Sequence, residues 1–471
     1  MKRISRNLAA ASLLFLPGAK AFSPWSLTSH PSDRRHSGLE RQRTCQLDTI
    51  LLMQSSREGE DTSAGNDSLN SCEGDDVTFQ KLYDILCAKS TIAKNTVRLD
   101  RSSDGIRGVF INRKVSSGDT ILRIPLSACI RDDQPPVWMR SEDMDPDISW
   151  ATRSAAGLID AQLAANTDGS SEAFKLWLSL MPTASYLRAS LPIHWSETIL
   201  NMASCTALEL AVDSSFFSRA QAVQDLVDGL DHHKESQSMS PEAKQTMAEN
   251  ALDLVQTRTC RVVFSNDQPV RLLAPMFDMI NHHPTLVNAE FILEEDSGEV
   301  KESFLVVRAL CEIDANEQLY IDYGESARPD WKCLVSYGFI PAFEPGTPIG
   351  DGDHMAEVYV EGQRYTVGPD TVSEALVYAM AEAMGEIPSP DADVHLTPNI
   401  ALRLAQRLAE AAFQVVLGGN SYGDDAVIES VEKETAESII SEQLAAALRW
   451  NQHRILMACS LGLRDWASKQ L

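Results

Sequence analysis

Two short segments of this chain, about forty residues apart, each contain several polar or aromatic residues close together. The first, PMFDMINHH at 275–283, brings an aspartate, an asparagine and two histidines together beside an apolar run. The second comprises EQLYIDYG at 317–324 and LVSYGFI at 334–340, with three tyrosines and a phenylalanine. Where water is excluded, such groups can bind the polar ends of a cofactor and align a nucleophile. Any fold proposed for this chain has to account for both segments.

The composition excludes several classes of protein. With 471 residues and 44% hydrophobic content, the chain can bury large cores, and its length predicts two or three domains. Its net charge of -26 opposes nonspecific attraction to nucleic acid or anionic lipid and favours a basic protein partner. The nine cysteines include no CxxC pair, so neither a zinc cluster nor a disulfide framework is indicated. We therefore expect a globular protein with mostly reduced thiols and no nucleic-acid partner.

The N-terminal region has the pattern of a targeting sequence. Basic residues precede the apolar stretch 8–16, and small residues at 19–21 fit a signal-peptide cleavage site. We predict a signal peptide at 1–21 and, from its serine and arginine content, a transit-like segment at 22–57. The combination resembles the bipartite plastid presequence of algae with secondary plastids, which implies a plastid location; an ordinary secretory signal is the alternative. No later window predicts a membrane-spanning helix, so we expect no stable membrane insertion of the mature chain.

Local patterns predict where the folded part begins and which elements it contains. The stretch 58–76 carries only acidic charges among Ser, Gly and Asn, which predicts a disordered linker, with folded sequence from about Val77. Apolar, β-branched runs at 109–111 and 120–124 are bounded by turn residues and predict short antiparallel strands. Farther on, Ser240 followed by proline predicts the start of a helix, since Ser can cap it and Pro fits its first position.

The first of the two segments spaces its polar side chains as a helix would. Asp278, Asn281 and His282 occupy positions i, i+3 and i+4, which puts them on one face if the turn is helical. Metal ligands, a cap with a satisfied histidine and a nucleophilic triad are the competing interpretations. A metal site would need a third firm ligand at a spacing such as HExxH, and a triad would need an elbow such as GxSxG. The sequence contains neither, so we predict no metal here.

The second segment predicts a strand that ends at a tyrosine. Residues 319–321 alternate between faces, and Asp322, Tyr323 and Gly324 break the strand with a turn. Tyr323 thus stands at a strand end, where a rigid scaffold can hold a functional side chain. An isolated tyrosine is usually a core residue with a satisfied hydroxyl, so the ordered set of aromatic residues carries more weight than any one of them.

Five motifs in a fixed order give the sequence a family resemblance. GIRGVF, an insertion with helical patterning, PMFDMINHH, EQLYIDYG and SYGFI follow one another between about residues 95 and 340. They resemble the signature segments of SET-domain protein methyltransferases, and the lack of a cysteine-rich segment after them favours the subgroup of the Rubisco large-subunit lysine methyltransferase. The chain departs from the family at Gly105-x-x-Gly108, where GxG is usual, and at His283 and Pro284, which follow the Asn-His pair.

The resemblance implies an α+β fold, with a SET core of small, mostly antiparallel sheets, a helical insertion and a helical C-terminal substrate-binding domain. It also implies a segment threaded through a loop, which periodicity alone does not predict. The SET domain is expected at 77–343 with its insertion at about 135–256, and the C-terminal domain at 344–471. From its pattern alone, the C-terminal region fits a lid that stabilises the core nearly as well.

The cofactor implied by the resemblance is S-adenosylmethionine. Tyr323 corresponds to the catalytic tyrosine of the family, and Asp278 and Tyr337 correspond to substrate-binding residues. Methyl transfer is an in-line displacement that depends on alignment and exclusion of water. The implied cofactor-binding residues are Asp104, Ile106, Arg107, Gly108, Thr257, Asn281, His282, Tyr323 and Phe339.

The implied activity is N-methylation of a lysine in a non-histone protein, within a plastid if the presequence acts as expected. Rubisco large subunit and fructose-bisphosphate aldolase are substrate candidates by resemblance alone. Two alternatives keep the fold: methylation of a histidine, and a catalytically silent module that binds a partner. The sequence does not choose the acceptor, the number of methyl groups or the oligomeric state.

Overall fold

The computed structural model describes most of the chain beyond the targeting region. The described residues are 21–22, 67–87, 95–103, 105–139, 148–165, 171–283, 286–295, 302–324, 329–341, 355–386, 395–420 and 436–471. Asp104 and Pro284 lie outside these ranges, as do the signal peptide and the transit-like segment apart from Ala21 and Phe22. Within the described ranges, no helix has the length and apolar character needed to cross a bilayer.

Helices form the larger part of the described chain. They are α1 (Asp67–Leu86), α2 (Trp150–Ala165), α3 (Glu172–Ser179), α4 (Ala184–Ser190), α5 (Glu197–Met202), α6 (Thr206–His232), α7 (Pro241–Arg258), α8 (Asp330–Tyr337), α9 (Glu374–Ala383), α10 (Pro398–Asn420) and α11 (Ala436–Gln470). Those from α2 to α7 follow one another without an intervening strand of the described chain, which agrees with the helical insertion expected from the sequence.

The strands are short and form small sheets. They are β1 (Ala21–Phe22), β2 (Val97–Arg101), β3 (Arg107–Ile111), β4 (Thr120–Pro125), β5 (Ile130–Arg131), β6 (Cys260–Val263), β7 (Pro269–Leu273), β8 (Asn281–His282), β9 (Ala289–Glu294), β10 (Phe304–Ala309), β11 (Tyr320–Ile321), β12 (Ala356–Val360), β13 (Gln363–Val367) and β14 (Val372–Ser373). The sheet orders are β4-β10-β9, β5-β7-β6, β2-β3, β11-β8 and β1-β14-β13-β12. Among these, β8 and β11 pair in parallel and the other pairs are antiparallel. The α+β class and the small antiparallel sheets expected from the sequence are confirmed.

The chain divides into two compact units. The larger comprises 32–353 and 418–449, and the smaller comprises 1–31, 354–417 and 450–471. In the larger unit, the predicted strands at 109–111 and 120–124 are β3 and β4. The predicted helix is α7, whose Ser240 side chain accepts the main-chain N–H of Ala243. In the smaller unit, α9 starts in the same way at Ser373, which accepts from Leu376.

The core of the larger unit is apolar and continuous from α1 to β11. Phe79 and Leu82 of α1 are fully buried, as are Ile121 and Leu122 of β4 and Trp177 of α3. Each fully buried side chain of this size stabilises the fold by roughly 1.5–3 kcal/mol relative to its exposed form. The sheets and the helical insertion therefore share one interior, and the polar groups of the candidate site are set against it.

The predicted acidic linker at 58–76 is wrong at its C-terminal end. α1 begins at Asp67 instead of near Val77, so the last part of that stretch is helical. Asp75 has a partner that composition does not reveal: it forms an ion pair with Arg107 of β3, with 3.2 Å between Oδ2 and Nη1. The run of acidic residues predicted disorder because composition shows their negative charges alone. It does not show the cations that folding places beside them.

Candidate active site

A two-residue parallel pairing brings the two polar segments together. Asn281 and His282 of β8 lie opposite Tyr320 and Ile321 of β11. Asn288 fastens β11 as well, since its Oδ1 accepts the main-chain N–H of Tyr320 at 2.9 Å. The residues that follow β11 are thereby placed beside the end of β8.

The turn that precedes β8 is not an α-helix. Met276 has a φ of 64°, and a single turn of 3-10 helix covers Phe277–Met279 before the backbone becomes extended. The condition for Asp278, Asn281 and His282 to share a helical face, a helical turn through all three, is therefore not met. Asp278 turns its carboxylate into the interior, where it has no exposed surface, whereas the other two lie on β8 and are partly exposed.

The predicted cofactor loop lies directly against Asn281. The Asn281 Nδ2 donates to the main-chain oxygen of Arg107 at 2.8 Å. A Cβ on Gly108 would come within 2.9 Å of that same Nδ2 and would overlap the Gln318 side-chain amide. The absence of a side chain at Gly108 thus lets β3 approach both amides, and a Cβ there would force the Gln318 and Asn281 side chains to move.

Substitution of Gly108 by alanine is expected to destabilise the protein by about 1–3 kcal/mol, the usual cost of overpacking, and to displace the Asn281 amide. Urea unfolding gives the change in free energy. Gly74→Ala is the matched control, because a Cβ there meets nothing within 4 Å and Gly74 lies inside α1. We expect the control to be neutral or slightly stabilising. Equal stability of the two variants would contradict the packing argument.

The Arg107 side chain binds partners other than Asn281. Ile106 is half exposed. The Arg107 guanidinium donates to Asp75 through Nη1 and to the main-chain oxygen of Leu180 at 2.6 Å through Nη2. Asp104 lies outside the described residues, so its predicted role stays a prediction. What the loop presents near Asn281 is thus mainly its backbone.

Three aromatic rings gather around Tyr323. Its ring centroid lies 5.2 Å from that of His282, 4.8 Å from Tyr337 and 6.3 Å from Phe339. Tyr337 and Phe339 are themselves 6.0 Å apart. We call these four residues the aromatic cluster. Ring faces carry negative charge density, so such a cluster favours a cationic group.

The Tyr323 hydroxyl has a defined place in this cluster. It donates to the main-chain oxygen of Ile280 at 2.8 Å, while the Tyr323 N–H lies 3.3 Å from the Nδ1 of His282. Burial raises the pKa of the Tyr323 hydroxyl well above its ordinary value, and the nearby Arg258 cation only partly opposes this. The hydroxyl is therefore neutral at physiological pH and fixed in direction by one acceptor.

This raised pKa predicts a stability change at high pH. In the unfolded chain Tyr323 ionises near its ordinary pKa of 10.0, whereas the folded protein resists ionisation. Its contribution is therefore fully present below pH 10 and is lost as the pH rises from 10 toward the folded value. Urea unfolding between pH 9 and 11.5 should show wild type losing stability more steeply than Tyr323→Phe. Parallel curves would contradict the prediction.

Asp278 is held by two side chains of the helical insertion. Its Oδ1 accepts the Trp177 indole N–H at 3.2 Å, and its Oδ2 lies 3.4 Å from the guanidinium Nη1 of Arg258. The same Nη1 donates to the Asp278 main-chain oxygen at 2.7 Å. Burial raises the pKa of the Asp278 carboxyl, and Arg258 opposes that shift. These contacts fix the turn that carries Ile280, the acceptor of the Tyr323 hydroxyl.

Thr257 sits apart from this arrangement. Its hydroxyl donates to the main-chain oxygen of Asp253 at 2.8 Å, inside α7. Among the residues predicted from the sequence, the structure assembles one contiguous group. That group consists of Gly108, Asn281, His282, Tyr323, Tyr337 and Phe339. In the part of the chain that is described, no three His, Cys, Asp or Glu side chains are grouped as metal ligands would be.

Sequence reasoning missed three residues that build the site. Gln318 packs against Gly108 and accepts the Tyr320 hydroxyl at 3.0 Å. Arg258 supports Asp278 from the end of α7, and the Ile280 carbonyl orients Tyr323. Only Arg258 left a signal, as a cation directly after the candidate hydroxyl at the end of the predicted helix. A main-chain acceptor has no signature in a sequence.

Comparison with known proteins supports the fold. No protein-family model matches the sequence, and no curated protein matches it. Among solved structures, the SET domain of LSMT bound to lysine and AdoHcy aligns with a TM-score of 0.50 at 15% identity, covering 85% of this chain and 92% of that one. Rubisco LSMT bound to sinefungin and monomethyllysine aligns with a TM-score of 0.49 at 15% identity, covering 84% and 92%. The first likeness shows that this chain has a SET-type fold.

Proposed function

We propose that this protein is an S-adenosylmethionine-dependent protein-lysine N-methyltransferase. The observation that carries the proposal is the Tyr323 hydroxyl, neutral and fixed on Ile280, at the centre of the aromatic cluster and beside β8. The likeness to a SET domain bound to lysine and AdoHcy supports the same assignment. We treat Tyr323 as the catalytic residue.

The residues at this place fit the proposed cofactor. The backbone of the 105–108 loop is approached closely because Gly108 has no side chain, and Asn281 lies against it with polar groups on β8. The aromatic cluster offers ring faces to a cation, which suits a sulfonium. We propose that the loop, Asn281, His282 and Phe339 hold the cofactor. When bound, S-adenosylmethionine supplies a methyl group on positively charged sulfur.

The chain's own contribution is alignment and exclusion of water. A lysine must lose its proton before its nitrogen can attack, and burial beside a positive charge disfavours the ammonium form. The Tyr323 hydroxyl can orient the neutral amine, with Tyr337 as a wall of its channel, since their ring centroids are 4.8 Å apart. Holding reactants in line accounts for a large share of rate acceleration in such reactions. Asp278 acts by supporting the turn that fixes Tyr323.

A calorimetric titration with S-adenosylmethionine tests the cofactor assignment. Wild type and Tyr323→Phe should bind it alike, whereas Asn281→Ala should bind it about tenfold more weakly, as expected for loss of one hydrogen-bonding side chain. Asn266→Ala is the control, because that residue lies in the exposed turn between β6 and β7. No binding by wild type would contradict the proposal. Binding without transfer to any protein would instead indicate a silent module.

The substrate is proposed more broadly. A soluble plastid protein fits the presequence, and Rubisco large subunit or fructose-bisphosphate aldolase are the first proteins to test. The acidic net charge of -26 favours a basic segment around the target residue. Attachment of residues 1–57 to a fluorescent protein tests the location: plastid fluorescence is expected, and secretion would support the alternative.

A further inference from the structure

We propose that Asp75 and Arg107 form a clasp that positions the 105–108 loop for the cofactor. Arg107 is thereby a positioning residue acting through the backbone rather than a side-chain ligand. The inference rests on the proposed cofactor site, but it assigns to α1 a role that no sequence pattern predicted. On this proposal, an acidic residue of the stretch before the core supports the cofactor site.

The Arg107 side chain connects β3 to α1 and to the end of α3. Its Nη1 lies 3.2 Å from the Asp75 carboxylate of α1, and its Nη2 donates to the Leu180 main-chain oxygen, just after α3, at 2.6 Å. The main-chain oxygen of Arg107 accepts the Asn281 amide at 2.8 Å. Arg107 thus has its side chain held by Asp75 and Leu180, while its main-chain oxygen binds Asn281 of the candidate site.

The rest of α1 is attached to the neighbouring strand independently. The Asp76 carboxylate accepts the Leu99 N–H at 3.1 Å, and the Gln80 amide donates to the Val97 main-chain oxygen at 2.7 Å. These bonds hold α1 along β2 whether or not Asp75 is charged. Loss of the Asp75 carboxylate should therefore loosen the 105–108 loop and leave α1 attached to β2.

The clasp is placed to affect the loop more than the whole fold. Both side chains are partly exposed, 25% for Arg107 and 34% for Asp75. Ion pairs of that exposure contribute little to global stability. The effect on the order of the 105–108 loop is larger, because Arg107 lies where this loop joins β3. Each bond to Arg107 restricts the motion of the loop. A loosened loop would have to be ordered again when the cofactor binds, which lowers affinity.

Two measurements on the full chain test the clasp. Hydrogen exchange of the 105–108 amides without cofactor should be faster in Asp75→Asn than in wild type. Titration with S-adenosylmethionine should show about a three- to tenfold higher Kd for Asp75→Asn, equal to a loss of about 0.7–1.4 kcal/mol. Turnover at saturating cofactor should be nearly unchanged. Asp75→Glu should restore most of both properties.

The matched control is Glu294→Gln. Glu294 of β9 pairs with Arg123 of β4 at the same 3.2 Å distance and with similar exposure, 33% and 29%. It also pairs with Arg308 of β10 at 2.7 Å, so its substitution disturbs at least as many ionic contacts as Asp75→Asn. It should change neither loop exchange nor cofactor affinity. Unchanged exchange in Asp75→Asn would overturn the clasp, and so would unchanged affinity in a protein whose wild type binds. Failure of wild type to bind would refute the proposed function, while the exchange result would still decide the clasp.

Discussion

Replacement of Tyr323 by phenylalanine is expected to lower the turnover number at least about 100-fold, the lower end of the effect of losing a positioned hydrogen-bonding group. The ring stays, so its contacts with His282 and Tyr337 are preserved and cofactor affinity should remain within about twofold. Only the hydroxyl that the Ile280 carbonyl orients is lost. Single-turnover transfer of labelled methyl measures the rate, and calorimetry measures the affinity.

Tyr337→Phe is the comparison for that result. Its hydroxyl lies 3.5 Å from the Tyr323 main-chain oxygen, which is long for a hydrogen bond, so a smaller loss of turnover is expected. Similar rates for wild type and Tyr323→Phe would remove Tyr323 from the chemistry. A loss of cofactor affinity that matches the loss of rate would mean that the hydroxyl serves binding instead.

Truncation of Asp278 to alanine is expected to reduce the free energy of unfolding by about 3 kcal/mol, the cost of stranding buried donors. The truncation would leave the buried Trp177 indole N–H without the carboxylate that accepts it. It would also remove the negative charge beside the Arg258 guanidinium, whose Nη1 would keep its bond to the Asp278 main-chain oxygen. The Arg258 Nε is already buried without a hydrogen bond. Urea unfolding with an unchanged m-value would give the difference.

Glu290→Ala is the control for this second prediction. Glu290 is exposed on β9, and its truncation should change stability by less than about 0.5 kcal/mol. If Asp278→Ala were as stable as this control, the carboxylate would not hold the turn. Asp278 would then be free for the substrate contact that the family resemblance implies.

Local signals predicted several elements of the fold correctly. Ser240 and the proline after it located the start of α7, and turn residues around 109–111 and 120–124 located β3 and β4. These signals act within a few residues of chain, so a sequence displays them directly. The short strand β11, which ends two residues before Tyr323, was predictable for the same reason.

What the sequence did not display depends on distant partners. The positive φ of Met276 and the extended backbone after Asp278 broke the helical spacing that the residue pattern suggested. Asp75 of α1 has its ion-pair partner, Arg107, 32 residues farther along the chain. Likewise, nothing local indicates that Gln318 packs against Gly108. Tertiary contacts override local pattern at these positions, and they surround the candidate site.

Transfer of labelled methyl from S-adenosylmethionine to fractionated plastid proteins, with the modified residue identified by mass spectrometry, decides whether this protein is the proposed lysine methyltransferase. We expect label on a lysine Nζ with wild type and almost none with Tyr323→Phe. Label on histidine would keep the enzyme and change the acceptor. Absence of label from every protein, with a correctly folded wild type that does not bind the cofactor, would show that the proposed function is wrong.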